Sequence, residues 1–373
     1  VCHLRLVSCA RPAWSMPVVP ASPAPPPQND DKAMTAGTMT GGERTAGERM
    51  GRATGYGVAG AGTGPLETLG AAKVNLHLHV TGRRDDGYHL LDSLVVFADI
   101  GDRLAVDPRP LPAGAETVFR LTGRFAADLA CAVPADNLAM RAAAALAARV
   151  NRPPPRMIDL DKRLPVASGI GGGSTDAAAV LRLLSGAWGV PRPVVMDVAG
   201  QLGADVPMCV AACPARIAGV GEVVTPLGHH TAGLLGGLGL VLANPLMPLS
   251  TPAVFKARAA SGAVTSAPAS LPDTGDLPQL LAALADAAND LAPAARMLLP
   301  VIADVETALA ALPGACFTRM SGSGATCFAL FASPDAAKAA SVRLAAARPS
   351  WWVAAGRVLA VAPEIRETPS ASS

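Results

Sequence analysis

Apolar and polar residues alternate without a break over Ala72-Lys73-Val74-Asn75-Leu76-His77-Leu78-His79-Val80. Val74, Leu76, Leu78 and Val80 fall on one side; Lys73, Asn75, His77 and His79 fall on the other. This period of two predicts a strand with one buried face. Thr81 to Tyr88 reads as a polar turn, and Leu90 to Phe97 and Arg103 to Val106 as two more strands. Asp136 is placed to cap a helix from Asn137 to about Val150. A short strand is expected at Met157 to Leu160, and a helix from the glycine-rich segment after it through Trp188. Another helix, Pro193 to Leu202, should stop at Gly203.

A second α/β half begins near Leu235. It holds a strand at Gly239 to Ala243, helices near Leu277 to Asp286 and Leu298 to Leu312, and a strand at Thr326 to Phe331. No Asp, Glu, Lys or Arg occurs from Val223 to Phe255. Its uninterrupted apolar part, around Leu234 to Ala243, is too short to span a bilayer and reads as a buried strand. Residues 1 to about 66 keep no period and pass from a proline-rich patch into Gly/Thr-rich sequence. They are expected to be a disordered extension, real or an overextended gene start. The tail after Glu367 is expected to be loose.

Composition narrows the picture. Half of the 373 residues are hydrophobic and 16% are charged, enough apolar surface for large cores. With four Trp, two Tyr and seven Phe, small aliphatics must do most of the packing. A net charge of +2 gives no footprint for nucleic acid. Seven scattered cysteines do not form a disulfide framework, and Cys209 and Cys213 lack partners for a zinc site. Thiols in this pattern point to a reducing cytosol. The first twenty residues carry no signal-peptide core. A cytoplasmic protein is expected.

Four segments carry candidate chemistry. In Leu164-Pro165-Val166-Ala167-Ser168-Gly169-Ile170-Gly171-Gly172-Gly173-Ser174-Thr175-Asp176, side-chain-free backbone leads into a helix. Such N–H groups and the helix dipole suit a phosphate, although a glycine-rich loop also simply turns a chain. No Walker lysine follows, and no dinucleotide fingerprint is present. In Leu202-Gly203-Ala204-Asp205-Val206-Pro207, Pro207 should hold Val206 extended, leaving Asp205 on a tight turn as either a turn cap or a reactive carboxylate. Lys73, one of five lysines against 26 arginines, could neutralise a phosphate or be a solvated edge residue. Arg319-Met320-Ser321-Gly322-Ser323-Gly324-Ala325-Thr326 is either a second anion-lining loop or a hairpin.

Taken together and in this order, these segments resemble the GHMP kinases, a superfamily of small-molecule kinases. The resemblance rests on the Lys73-to-Leu76 strand, the Pro165-to-Asp176 loop and the Ser321-to-Ala325 turn, and covers about Leu66 to Pro363. Gly82 to Ser93, containing Gly87-Tyr88-His89, is similar to the signature of the branch that phosphorylates 4-diphosphocytidyl-2-C-methyl-D-erythritol. Asn244-Pro245 with Ser250-Thr251 is similar to that branch's second-domain opening.

The resemblance implies a two-domain α+β GHMP kinase fold with the active site in the cleft between the domains. Its N-terminal domain would cover 67–232 and its C-terminal domain 233–366, flanked by the 1–66 extension and a 367–373 tail. It implies an ATP-dependent kinase using Mg2+, with small-molecule substrates and neither nucleic acid nor membrane as partner. Asp205 would be the general base and Lys73 its cationic partner. Pro165, Ala167, Ser168, Gly169, Ile170, Gly171, Gly172, Gly173, Ser174 and Thr175 would line the ATP site, with Asn137 near the adenine. Tyr88 and His89 would hold the cytosine, and Asn75 and Asp205 would meet the erythritol part. His77 stands where a bulky apolar residue is common, and Thr175 where serine is frequent. A homoserine or mevalonate kinase, or a non-catalytic nucleotide-binding protein on the same fold, are the alternatives.

Overall fold

The computed structural model describes residues 64–112, 114–129, 133–272 and 276–368. The expected extension therefore lies, up to residue 63, outside the described residues, and so do residues 369–373. The first half runs β1 (Leu66–Arg83), β2 (His89–Pro110), β3 (Val118–Thr122), α1 (Leu138–Arg149), β4 (Pro155–Asp161), α2 (Gly172–Trp188), α3 (Arg192–Leu202), α4 (Val206–Ala211), β5 (Ala215–Gly219) and β6 (Val223–Pro226). The second runs α5 (His229–Leu235), β7 (Gly239–Asn244), α6 (Thr251–Ala260), α7 (Leu277–Asp286), α8 (Ala292–Leu298), α9 (Val301–Ala310), β8 (Ala315–Met320), β9 (Cys327–Phe331), α10 (Pro334–Ala347), β10 (Trp352–Leu359) and β11 (Arg366–Glu367).

The strands join one sheet, in the order β11-β1-β2-β10-β7-β9-β8. β2 is its backbone. One edge of β2 pairs with β1 along nearly its whole length. Its other edge takes β5 over Leu91–Val95, β10 at Phe97–Ala98 and β4 from Arg103 onward. The two strands read at 90–97 and 103–106 are thus one strand, which keeps β1 as its partner on both sides of an irregularity between Phe97 and Gly101. Gly101 lies where a Cβ would enter the Gly70 backbone.

β1 is longer than its alternating stretch, and both of its faces are buried. Ala72, Val74 and Leu76 pack with Leu94, Val96, Leu240, Leu242, Phe328 and Leu330. On the other face Lys73 is 6% exposed and Asn75 4%, and His77 is fully buried. The expectation of one buried face fails because the glycine loop and the Ser321–Gly324 turn cover the polar side. Alternation shows which residues share a face, not whether another segment covers it.

Several local expectations are corrected. Asn137, not Asp136, caps α1: its side chain accepts the Ala139 N–H at 2.9 Å, while Asp136 ends a single 3₁₀ turn. Val206 is helical rather than extended. Pro207 stands in the first turn of α4, where the missing N–H has no role, so α4 starts directly after Asp205. The 234–243 stretch divides into the end of α5 and β7, broken at Gly236-Gly237. The 298–312 helix divides into α8 and α9 around Leu299-Pro300. Glu367 is not loose: it pairs with Leu66, and the Thr368 N–H donates to the Pro65 carbonyl at 2.8 Å. Gly203 ends α3, with its N–H on the Ala199 carbonyl.

Among the described residues, no helix is long and apolar enough to cross a membrane. Cys209, Cys213, Cys316 and Cys327 are free thiols.

Candidate active site

The glycine loop rests on β1. The Lys73 N–H donates to the Ile170 carbonyl at 3.1 Å, and Gly171 lies over the Lys73 side-chain stem. Gly169 and Gly171 have φ of +76° and +70°, the left-handed region that glycine occupies without strain. At Gly169 a Cβ would also stand 2.5 Å from the Gly324 carbonyl. Gly171 caps α2, so the first N–H groups of a 17-residue helix open toward the cleft.

Lys73 reaches across this cleft. Its Nζ donates to Asp205 Oδ2 at 3.2 Å. The lysine side chain is 8% exposed and the carboxylate 42%, so the carboxylate is reachable while the ammonium is held from below. Asp205 stands there because Gly203 ends α3 and α4 begins at Val206, directly after Asp205. The buried apolar side chains of α4 pin that short helix to the core.

A cavity of about 340 Å3 joins these groups. Lys73, Asn75, Gly169, Ser174, Asp205 and Ser323 are among its walls. A second cavity of about 530 Å3 adjoins it across Gly172 and Gly173, and is walled by Asn137, Leu138, Pro165, Ala167, Lys162 and Asp176 among others. Both are of the size that small-molecule sites have. The structure thus brings Lys73, Asn75, Asp205 and the glycine loop to one chamber, and Asn137, Pro165 and Ala167 to its neighbour. Ile170 turns its side chain into the core and offers only backbone. The Thr175 hydroxyl donates to the Gly172 carbonyl and the Ser168 hydroxyl to the Pro165 carbonyl, so both brace the loop from within.

Tyr88 and His89 stand at the β1–β2 turn. Tyr88 is 57% exposed. The His89 ring stacks on Phe255 of α6, with centroids 4.6 Å apart, and Phe255 itself lines the first chamber. Burial, then Arg83 and Arg258, holds the His89 imidazole below its ordinary range, favouring the neutral ring.

Sequence reasoning missed several residues here. Phe255 lies in a helix with no local motif. Thr251 Oγ1 and Ser323 Oγ are 2.7 Å apart at the chamber wall. Lys162 is buried between Asp102 at 2.5 Å and Asp176 at 2.8 Å. Asp102 Oδ1 also accepts the N–H groups of Arg163 and Leu164, which fixes the chain where it enters the loop. Burial pushes the Asp176 carboxyl up to about 8; Lys162 opposes this and Asp102 adds to it. No local motif marks the Asp102–Lys162 and Thr251–Ser323 contacts, because their partners lie 60 and 72 residues apart along the chain.

His77, His79 and Asp92 bring ligand-type atoms within 4.8 Å of one another. Both His79 nitrogens are engaged by backbone groups, at Ala267 and Ala288, and Asp92 is taken by Arg216 and the Ala269 N–H. Those bonds leave His77 alone with free nitrogens, a poor basis for a metal centre.

Comparison with known proteins identifies the family. The family model described as GHMP kinases N terminal domain matches residues 137–212, and that for GHMP kinases C terminal matches 270–349. A 4-diphosphocytidyl-2-C-methyl-D-erythritol kinase of Cereibacter sphaeroides is 50% identical over 294 residues, 79% of this chain and 99% of the relative. One of the same name from Paracoccus denitrificans is 52% identical over 284 residues, 76% of this chain and 93% of the relative. A crystal structure of 4-(cytidine 5'-diphospho)-2C-methyl-D-erythritol kinase superposes with a TM-score of 0.62 at 33% identity, covering 78% of this chain and 98% of that one. With half of its aligned residues shared across nearly the full length of such relatives, the chain belongs to the 4-diphosphocytidyl-2-C-methyl-D-erythritol kinase family of GHMP kinases.

Proposed function

We propose that this protein transfers the γ-phosphate of ATP to the 2-hydroxyl of 4-diphosphocytidyl-2-C-methyl-D-erythritol, with Lys73 and Asp205 at the reacting hydroxyl. The observation that carries the assignment of residues is the 3.2 Å Lys73–Asp205 pair facing the N-terminus of α2. Phosphoryl transfer asks the protein mainly for alignment and charge stabilisation. The loop N–H groups from Gly171 to Ser174 hold the ATP phosphates, and the Asn137 chamber holds the adenine end. Asp205 orients the acceptor hydroxyl and takes its proton, while Lys73 stabilises charge on both sides of the transfer. Asn75, whose Oδ1 has no donor among the described residues, offers an acceptor to the erythritol chain. Tyr88 presents an exposed ring on which a cytosine can stack.

The acceptor thus lies in the cleft between an N-terminal domain at 67–232 and a C-terminal domain at 233–366. Mg2+ accompanies the ATP. The Ser174 hydroxyl on the chamber wall would be an oxygen donor to an ion that leaves its other positions to water and phosphate. When bound it neutralises phosphate charge.

A phosphorylation assay against three acceptors tests the reading: the cytidyl substrate, homoserine and mevalonate. Turnover confined to the cytidyl substrate is expected. Preference for either of the others would reassign the substrate, and ATP binding without turnover on any would make this a non-catalytic nucleotide binder.

A further inference from the structure

Asn289 is in the loop between α7 and α8 and is 6% exposed. Its side chain is fully engaged. Nδ2 donates to the Met320 carbonyl at 2.9 Å and to the Gly322 carbonyl at 2.8 Å, and Oδ1 accepts the Leu291 N–H at 3.0 Å. One amide therefore grips both ends of the Met320–Gly322 turn.

The turn it grips touches both halves of the site. Buried Ser321 accepts the Asn75 N–H at 3.1 Å and donates to the Gly169 carbonyl at 3.4 Å. Gly322 is pressed so close that a Cβ there would stand 2.9 Å from the Gly169 carbonyl and 3.2 Å from Asn75 Oδ1. Gly322 and Ser323 line the chamber beside Lys73 and Asp205.

Asn289 is itself anchored to β1, only a few residues from Asn75. The Leu78 N–H donates to the Ala288 carbonyl at 3.0 Å, the Asp290 N–H to the Leu78 carbonyl at 2.8 Å, and the Val80 N–H to Asp290 Oδ2 at 2.7 Å. The path β1–Asn289–turn–Gly169 closes on itself through Lys73 N–H and the Ile170 carbonyl.

We propose that Asn289 is a positioning residue for phosphoryl transfer, holding the Met320–Gly322 turn so that the Asn75 acceptor side and the glycine loop keep one fixed separation. The inference rests on the functional reading above, because the separation matters to rate only if transfer occurs across it. Both gripped carbonyls are in a buried turn, and among the described residues this amide is their side-chain donor. A turn freed from it lets the loop and the acceptor drift independently, and misplacement of about 1 Å costs on the order of 100-fold in rate.

The test compares Asn289→Ala and Asn289→Asp with wild type and with Leu309→Ala, a cavity variant in the core of α9 away from the chamber. Asn289→Ala is expected to lower kcat about 10- to 100-fold while the KM for ATP changes less than threefold. Leu309→Ala should melt earlier with normal kcat. Asn289→Asp keeps the acceptor for Leu291 but sets a carboxylate against two carbonyls. Its kcat relative to wild type should recover as pH falls, because the protonated acid donates again; the alanine variant should show no such recovery. Amide hydrogen exchange gives a second readout, with faster exchange at Asn75 and Ser321–Thr326 expected in Asn289→Ala. Normal kcat in Asn289→Ala, or unchanged exchange at the turn, overturns the proposal. Should wild type phosphorylate none of the three acceptors, the functional reading falls, and the exchange result still decides whether Asn289 holds the turn.

Discussion

Lys73 Nζ and Asp205 Oδ2 stand 3.2 Å apart although 132 residues of chain separate them. β1 delivers the lysine from below the glycine loop, and the junction of α3 and α4 delivers the aspartate from its rim. Asp205→Asn keeps the shape and removes the proton acceptor. Turnover should fall about 10²–10⁴-fold with both substrates still binding. Lys73→Ala should also slow turnover, and the double variant should lose less than the product of the two, because paired groups are not additive. Single-turnover kinetics at saturation measures this. A near-normal transfer step in Asp205→Asn would remove it from the mechanism.

At the phosphate loop, a Cβ on Gly172 would lie 3.0 Å from Lys162 Nζ. Gly172→Val therefore crowds the buried lysine and the mouth of α2 together. ATP affinity should drop while the melting temperature changes modestly, since Gly172 has ordinary helical backbone. Unchanged ATP binding by calorimetry would place the phosphates elsewhere.

Tyr88→Ala should weaken the cytidyl substrate by about 1–3 kcal/mol, the usual scale of base–aromatic stacking. ATP affinity should hold. The comparison is between KM values for the two substrates, and a loss confined to ATP would exchange the two nucleotide sites.

The Asp102–Lys162–Asp176 cluster predicts a pH effect on stability. Asp176 is raised from 3.8 to about 8, mainly by burial. Between those values the folded protein binds a proton that the unfolded chain releases. Stability is therefore highest below about pH 4 for this group and declines as pH rises through 8. Asp176→Asn removes the linkage. Denaturant melts from pH 5 to 9 should show wild type losing ground to the variant; parallel curves would mean Asp176 is ionised throughout.

His77 gives the opposite sign. Burial is the main cause that lowers its imidazole to about 4 from 6.5, and neither ring nitrogen has a partner among the described residues. Asp92 opposes the shift, while His79, Arg216 and Arg319 add to it. The unfolded chain takes up a proton below pH 6.5 and the folded one does not, so stability is lost as pH falls toward 4. His77→Leu should flatten that loss. The stability gain should be larger at pH 4.5 than at 7.5, and an equal gain at both would assign it to packing alone.

Much of this protein was readable from local sequence. The alternation that begins at Ala72, the stop at Gly203, the helix ending at Trp188 and the glycine loop at its start all depend on backbone preferences within a few residues. Gly171 illustrates it: a left-handed cap before a helix requires a residue without Cβ, and the sequence supplies one. The family resemblance came from the same short segments.

Local sequence thus specifies the pieces: which residues share a face of β1, where the chain must turn, and which loop has N–H groups free for an anion. Long-range packing set what lies against what. It covered the polar face of β1, merged two apparent strands into β2, set His89 on Phe255, and closed the Asn289 grip on a turn 31 residues further along. It also moved Asp205 from an isolated turn to the head of a helix. The reason is physical: periodicity and propensity act over a few residues, whereas burial and hydrogen-bond partners are set by segments brought together from far along the chain.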